Sequence, residues 1–315
     1  AEQLTFFSSG VASSLWSPVN NEMIVVADTD GNEQFQLFLV SGDAKSIVPL
    51  TNDPKVRHTF GGWSKDGKQV YYSSNKRNPR YFDCYVMDVE TRQARMVFQK
   101  DGILDANALS TDGKTLIASE ATSNVNHNLY VVDTATGQGR LATSHTGDAV
   151  YNIIGFTDDD KSLLMVTDHN RNFQNLAKMD LESGKITFLQ DENHDLLGGE
   201  LSHDKKTLAL LTNRDGYGEL SLLDAKTLRP KRLPDLPKGS IGLGGFTTDG
   251  KVMALGVNTP TKNTDAWILD IAKGKLKQVT FSSLAGIDPE TFVEPTLIKM
   301  KSADDVEIST FLYLP

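Results

Sequence analysis

The chain has 315 residues, enough for one large domain or two average ones, and its 39% apolar and 23% charged residues form a balance that builds a core. A net charge of −9, with no run of Lys or Arg longer than two, excludes a phosphate-binding surface and with it a nucleic-acid partner. The lone Cys84 excludes an internal disulfide and a cysteine-based zinc site, and no apolar run approaches the roughly 18 residues of a membrane span.

In chain order, the first stretch, EQLTFFSSG (residues 2–10), reads as the last strand of a blade plus its linker, because it matches KQVTFSSLAG at 277–286; it is expected either to close the ring beside the C-terminal segment or to follow three strands missing upstream. No signal peptide is read before it, and the cysteine usage fits a cytoplasmic setting, with the periplasm as the alternative. A repeat then begins: WSPVNNEMIVVAD from Trp16, WSKDGKQVYYSSN from Trp63, LSTDGKTLIASEA from Leu109, FTDDDKSLLMVTD from Phe156, LSHDKKTLALLTN from Leu201 and FTTDGKVMALGVN from Phe246. The hydroxyl residues Ser17, Ser64, Ser110, Thr157, Ser202 and Thr247 recur at spacings of 47, 46, 47, 45 and 45. Each unit continues into a second signature (FQLFLVSG, FDCYVMDV, HNLYVVDT, QNLAKMDL, GELSLLDA, DAWILDIA) and closes on a short strand (SIVPLT, ARMVFQ, GRLATS, ITFLQD, KRLPDL, LKQVTF).

The Asp-Gly or Asp-Lys step after the hydroxyl is a tight turn, and the β-branched and aromatic run behind it is a strand. Four short antiparallel strands at a period near 46 residues predict an all-β fold, a β-propeller of six complete repeats with a seventh composite or truncated. The hydroxyls read as turn bonds, not nucleophiles, and Trp16, Trp63, Phe156 and Phe246 as packing between blades. With strands a to d running outward from the axis, the a–b and c–d turns share one end. The b–c loops and d–a linkers share the other, where they are long, polar and different in every unit, the arrangement in which loops on a rigid scaffold bind ligands.

The sequence carries no Gly-x-Ser-x-Gly elbow, His-Glu-x-x-His, Walker loop or dinucleotide fingerprint, so a catalytic constellation is not expected. The six histidines never show metal-ligand spacing, and DTDGNE at 28–33 has Leu39 where a calcium loop needs its glutamate, so neither a metal nor a cofactor is implied. Catalysis through a central channel would need clustered acids on the innermost strands, which begin instead with apolar and hydroxyl residues.

The final stretch, ETFVEPTLIKMKSADDVEISTFLYLP (290–315), ends in a strand with Val306, Ile308, Thr310 and Leu312 on one face. Together with GNEQFQLFLV, LTNDPKVRHTFGGWSKDGKQVYYSSNKRNPRYFDCYVMD and NRDGYGELSLLD, it resembles the propeller portion of the prolyl oligopeptidase family of serine peptidases, nearest the acylaminoacyl-peptidase and dipeptidyl-aminopeptidase-like branch. The resemblance implies residues 1–291 as propeller and 292–315 as the linker and crossing strand into an α/β-hydrolase domain. That domain would carry the Ser, Asp and His of catalysis, while the propeller gates access and adds side chains to a cavity for short peptides. The family's turn before the crossing strand reads Ser-x-Asp-Gly; here Asp304-Asp305 stands in it. Unpartnered, the strand is expected to fray or to pair beside the EQLTF stretch. Candidates for contacting a peptide substrate or the hydrolase domain are Arg57, His58, Arg77, Arg80, Arg171 and Arg214, with Lys76 beside them, because guanidinium groups on variable loops suit carboxylates and carbonyls. The alternative is a TolB-like periplasmic propeller that binds protein partners.

Overall fold

The computed structural model describes residues 3–314. Almost all regular structure is antiparallel strand, and the repeat resolves into six blade-like sheets of a β-propeller. Blade one runs Val11–Trp16, Glu22–Ala27, Gln36–Ser41 and Ile47–Pro49; blade two runs His58–Trp63, Gln69–Asn78, Tyr81–Asp88 and Ala94–Phe98. Blade three runs Leu104–Leu109, Thr115–Ser123, Asn126–Asp133 and Gly139–Leu141; blade four runs Tyr151–Phe156, Ser162–Thr167, Asn175–Asp180 and Ile186–Phe188. Blade five has three strands, Leu196–Leu201, Thr207–Arg214 and Tyr217–Asp224, and blade six runs Ser240–Phe246, Val252–Thr259, Lys262–Asp270 and Lys275–Gln278. A two-stranded hairpin, Thr296–Lys301 with Glu307–Leu312, follows. The chain divides into two compact units: one holds the residues up to Arg171 and Ala177–Phe188, the other Asn172–Leu176 and everything from Leu189.

The hydroxyl-x-Asp turn works as a closed set of bonds. The Ser64 hydroxyl donates to Asp66 Oδ1 (2.7 Å) and accepts from the Gln69 N–H (2.9 Å), while Asp66 Oδ1 also accepts from the Lys68 N–H (3.1 Å). Gly67 supplies the left-handed residue at φ +68°. Ser110, Thr157, Ser202 and Thr247 repeat the first bond at 2.7–2.8 Å. Asp160 (φ 52°) and Lys205 (φ 56°) take the glycine position in blades four and five, at a modest conformational cost. The hydroxyls are thus committed to turns, as the sequence predicts.

Backbone bonds also fix which loops share an end. The N–H after the third strand donates to the lysine carbonyl of the a–b turn in five blades: Val89 to Lys68, Thr134 to Lys114, Leu181 to Lys161, Ala225 to Lys206 and Ile271 to Lys251. At the opposite end the b–c hairpin and the d–a linker are tied by His58 to Phe35, Phe82 to Gly102, His127 to Ala149, Leu196 to Gln174 and Gly218 to Gly239.

The cores lie between consecutive blades. Ile24, Val26 and Leu37 meet Val70, Tyr72 and Met87; Tyr71 and Val86 meet Leu104 and Leu116; Ile117 and Leu129 meet Phe156 and Leu163; Leu211 and Leu222 meet Ile241 and Leu255. Each such side chain contributes about 1.5–3 kcal/mol by leaving water. Phe156, Trp63 and Phe246 pack as expected, and the Trp63 indole N–H also donates to the Leu15 carbonyl (3.1 Å). Trp16 departs from the pattern and is 45% exposed, because the first strand of blade one is exposed along its whole length and no blade precedes it in its unit.

Three expectations are corrected. Residues 3–10 form no strand; Leu4 and Phe7 pack against Met23, Val25 and Val40, so local apolar burial wins over edge pairing there. KRLPDL is not a fourth strand: only Leu223 bridges Pro230, and Lys231 N–H donates to the Leu222 carbonyl, because Pro230 and Pro234 offer no N–H to a ladder. The strand containing Ile308 neither frays nor pairs with the N-terminal stretch. It is zipped to Thr296–Lys301 in full register, from Thr296 opposite Leu312 to Lys301 opposite Glu307.

Candidate functional site

The candidate residues lie at the b–c loop end of their blades, but their engagement differs. In blade two, Arg57 is exposed with its guanidinium over the Phe35 ring (5.1 Å), and its N–H donates to Asn75 Oδ1 (2.7 Å). His58 is 5% exposed, set edge-on to Tyr72, with Nδ1 bonded to nothing; burial pulls its pKa down to about 4, with Lys76 adding slightly and Asp53 opposing. It is therefore neutral at pH 7 and packs as a core ring.

Arg77 bonds Asp83 through Nε (2.7 Å) and Nη2 (3.0 Å), reaches Asp101 (2.9 Å) and the Lys100 carbonyl (3.1 Å), and lies against Tyr81. The Asp83 side chain is 0% exposed, so this fork neutralises a buried carboxylate, and the bonds to Asp83 and Asp101 push the guanidinium pKa up. Arg80 is exposed, with only its N–H bonded, to Asn78 Oδ1. Lys76 is exposed nearby. Arg57, His58, Arg77 and Arg80 are thus brought to one end of blade two.

In blade four, Arg171 stacks on Phe188 at 3.7 Å and lines a groove of about 420 Å³ with Thr143, Ser144, His169 and Asn170. In the second unit, Arg214 pairs with Glu219, the bond that raises its pKa.

Sequence reading missed two groups. Asp105 and Glu200 sit on the first strands of blades three and five, and burial raises both carboxyl pKa values. Their only sequence signal is an acid at an alternating position in an apolar strand. Among the described residues no cluster of three or more His, Cys, Asp or Glu is placed to hold a metal, and no helix is long and apolar enough to cross a membrane.

The tail hairpin carries the most informative geometry. One face docks on the b–c loop of blade five: Lys299 Nζ and Ser309 Oγ both donate to Asp215 Oδ1 (2.6 Å each), and Phe311 meets Tyr217 at 4.8 Å. Gly216 (φ +89°) is required there, since a Cβ would lie 2.8 Å from the Phe311 ring. The turn repeats the blade signature, with Ser302 donating to Asp304, Val306 N–H donating to Ser302 Oγ (3.2 Å) and Asp305 at φ +63° in the glycine's place. The other face, with Met300 51%, Ile308 47% and Leu312 39% exposed, is apolar and faces solvent.

No family model matches the chain. The dipeptidyl aminopeptidase BIII of Pseudoxanthomonas mexicana is 21% identical over 97% of this chain and 45% of its own length, so the chain spans under half of the curated relative it matches. Prolyl oligopeptidase B from Galerina marginata superposes with a TM-score of 0.75 at 16% identity, over 96% of this chain and 46% of that one. TolB from Acinetobacter baumannii gives 0.60 at 19% identity, over 82% and 63%. The fold is that of these propellers, and the relative and the structural neighbours agree with the resemblance read from the sequence.

Proposed function

Proceeding from that likeness to peptidase propellers, we propose that the chain is the non-catalytic propeller of a serine peptidase acting on short peptides, gating access and adding contacts for the substrate. The observation that carries this reading is the tail hairpin. Isolated two-stranded sheets are marginal in water, and an exposed apolar face of this kind marks a surface that another structure covers. Its docked face holds the strand at the loop end of blade five while its open face offers Met300, Ile308 and Leu312 to an α/β-hydrolase sheet reached through residues 292–315. Five of the turn hydroxyls, on Ser64, Ser110, Thr157, Ser202 and Thr247, are engaged by Asp carboxylates, which favours a structural role for them over a nucleophilic one.

The test is direct. The purified chain should hydrolyse no dipeptidyl anilide and take up no fluorophosphonate label, and the coding sequence downstream of Pro315 should encode a Gly-x-Ser-x-Gly elbow. Labelling of any serine in this chain, or a stop codon directly after Pro315, overturns the reading. The similarity to TolB over 82% of the chain favours a protein-binding propeller as the second reading, which that stop codon would select.

A further inference from the structure

The boundary between blades five and six carries a groove that the reading above does not use. Its origin lies in the missing fourth strand of blade five. Between blades two and three, the fourth strand Ala94–Phe98 ends on a ring that packs against Tyr130 of the next blade, with centroids 5.4 Å apart. Tyr130 stands three residues before Asp133, the end of its strand, and Trp267 holds the same place before Asp270. The stretch that precedes blade six, residues 229–240, contains Pro230, Pro234 and Pro237 and no aromatic residue. It leaves the ladder after Lys231, and Leu233 and Leu236 turn into the core between the blades. The ring that Phe98 supplies is therefore lacking here. Trp267 instead lines a groove of about 370 Å³, where Pro237 and the buried Val257 extend the apolar wall and the exposed Lys238, Lys262 and Glu294 add charge.

These charges are not equally free. Asp265, also in the lining, is bonded on both oxygens, by the Thr280 hydroxyl and the Ser282 N–H (2.8 Å each) and by the Gln278 amide (2.9 Å). Glu294 accepts from the Thr261 hydroxyl (3.2 Å). Lys238 and Lys262 make no ion pair and no side-chain hydrogen bond with any described residue. The free charge at the groove is thus cationic, and it stands beside an indole. Ammonium groups on flexible stems can close on an anion seated there. A ligand ring laid on Trp267 would restore the contact that Phe98 makes with Tyr130.

We propose that this groove binds a small monocarboxylate that carries an aromatic ring, with the ring on Trp267 and the carboxylate held by Lys238 and Lys262. Glu294 sets the limit at one negative charge. The proposal does not depend on catalysis elsewhere, so its failure and that of the peptidase reading are separable.

The experiment titrates the purified chain at pH 7 with 3-phenylpropionate, 3-phenylpropionamide and propionate. It follows the indole signals of the three tryptophans by ¹H–¹⁵N NMR, with Trp267 assigned by its loss in Trp267→Phe. 3-Phenylpropionate should shift the Trp267 signal saturably and leave those of Trp16 and Trp63 in place. Propionate should bind about tenfold more weakly for want of the ring, and the amide about fivefold more weakly for want of the charge. Replacing both exposed lysines, by Lys238→Gln and Lys262→Gln in one chain, should bring the acid down to the affinity of the amide. Glu294→Gln should tighten the acid by about twofold. A Trp267 signal that 3-phenylpropionate does not shift saturably, a shift confined to Trp16 or Trp63, equal affinity for the acid and either analogue, or undiminished binding in the double lysine variant overturns the proposal.

Discussion

The loop end of blade two and the tail hairpin are both antiparallel hairpin ends fastened by a cation on a carboxylate. In blade two the carboxylate, Asp83, is 0% exposed and Arg77 grips it with two nitrogens. In the tail the carboxylate, Asp215, is 29% exposed and meets the flexible ammonium of Lys299, which is itself 44% exposed. The chemistry is the same and the solvent is not. Where water is excluded, breaking the pair strands a charge; where water reaches both partners, it replaces most of what is lost. Blade two is thus a fixed part of the scaffold, and the tail hairpin is a part that can be re-seated on another surface.

The largest effect tests the buried side. Arg77→Ala leaves the Asp83 carboxylate with the Lys100 N–H (3.3 Å) as its remaining partner. The midpoint of thermal unfolding should fall by roughly 5–10 °C, and Asp83→Leu placed in the same chain should restore part of it by removing the stranded charge. A fall under about 2 °C would show that the fork is wetter than its burial implies.

The next effect uses His58, buried in the same end. Its folded pKa of about 4 lies below the ordinary 6.5, so the neutral ring stabilises the fold fully above pH 6.5. As pH falls from about 6.5 to 4 the unfolded chain takes up a proton that the folded chain refuses, and on the order of 3 kcal/mol is lost. Urea titrations across this window should show that slope in the parent and lose it in His58→Phe. An equal slope in both chains would locate the titration elsewhere.

How much of this contrast the sequence discloses depends on the range of the interactions. The hydroxyl-x-Asp turns are legible because every bond lies within five residues, as between Ser64 and Gln69, and the a–d order of strands follows from them. The open edge of blade five is local too, and Pro230 and Pro234 announce it once the ladder is considered residue by residue. The engagement of arginines is not legible. Arg77 and Arg171 both read as loop cations, yet one closes on Asp83 and Asp101 and the other lies on Phe188, and Asp101 is 24 residues from its partner. The seat of the tail was hidden for the same reason: the Ser309–Asp215 bond spans 94 residues. The contacts of the Tyr151 hydroxyl with His145 Nδ1 and His169 Nδ1 join ordinary-looking positions that the linker before blade four and the pairing of Tyr151 with Thr167 make neighbours.

On the exposed side, Phe311→Ala removes the ring that meets Tyr217 and the Gly216 backbone. The effect should stay local: amides of Ile308 and Thr310 should exchange about tenfold faster, with the Val70–Ser73 amides of blade two unchanged. Faster exchange throughout both hairpins would mean that the tail is part of the scaffold after all.

The smallest effect separates the two ion pairs most cleanly. The bonds from Lys299 and Ser309 hold Asp215 below the ordinary carboxylate value of 3.8, so its contribution is present above that pH and is lost as the carboxylate protonates below it. At pH 7, Asp215→Asn should move the unfolding midpoint by about 1 °C or less, since screened surface pairs contribute little. Its effect on hairpin exchange should be visible in 20 mM salt and vanish in 1 M, where the Debye length shrinks to about 3 Å. The Arg77→Ala loss should persist at both salt concentrations, because no ion reaches Asp83. If the two variants respond to salt alike, burial does not distinguish the two hairpin ends, and the tail loses its standing as the movable one.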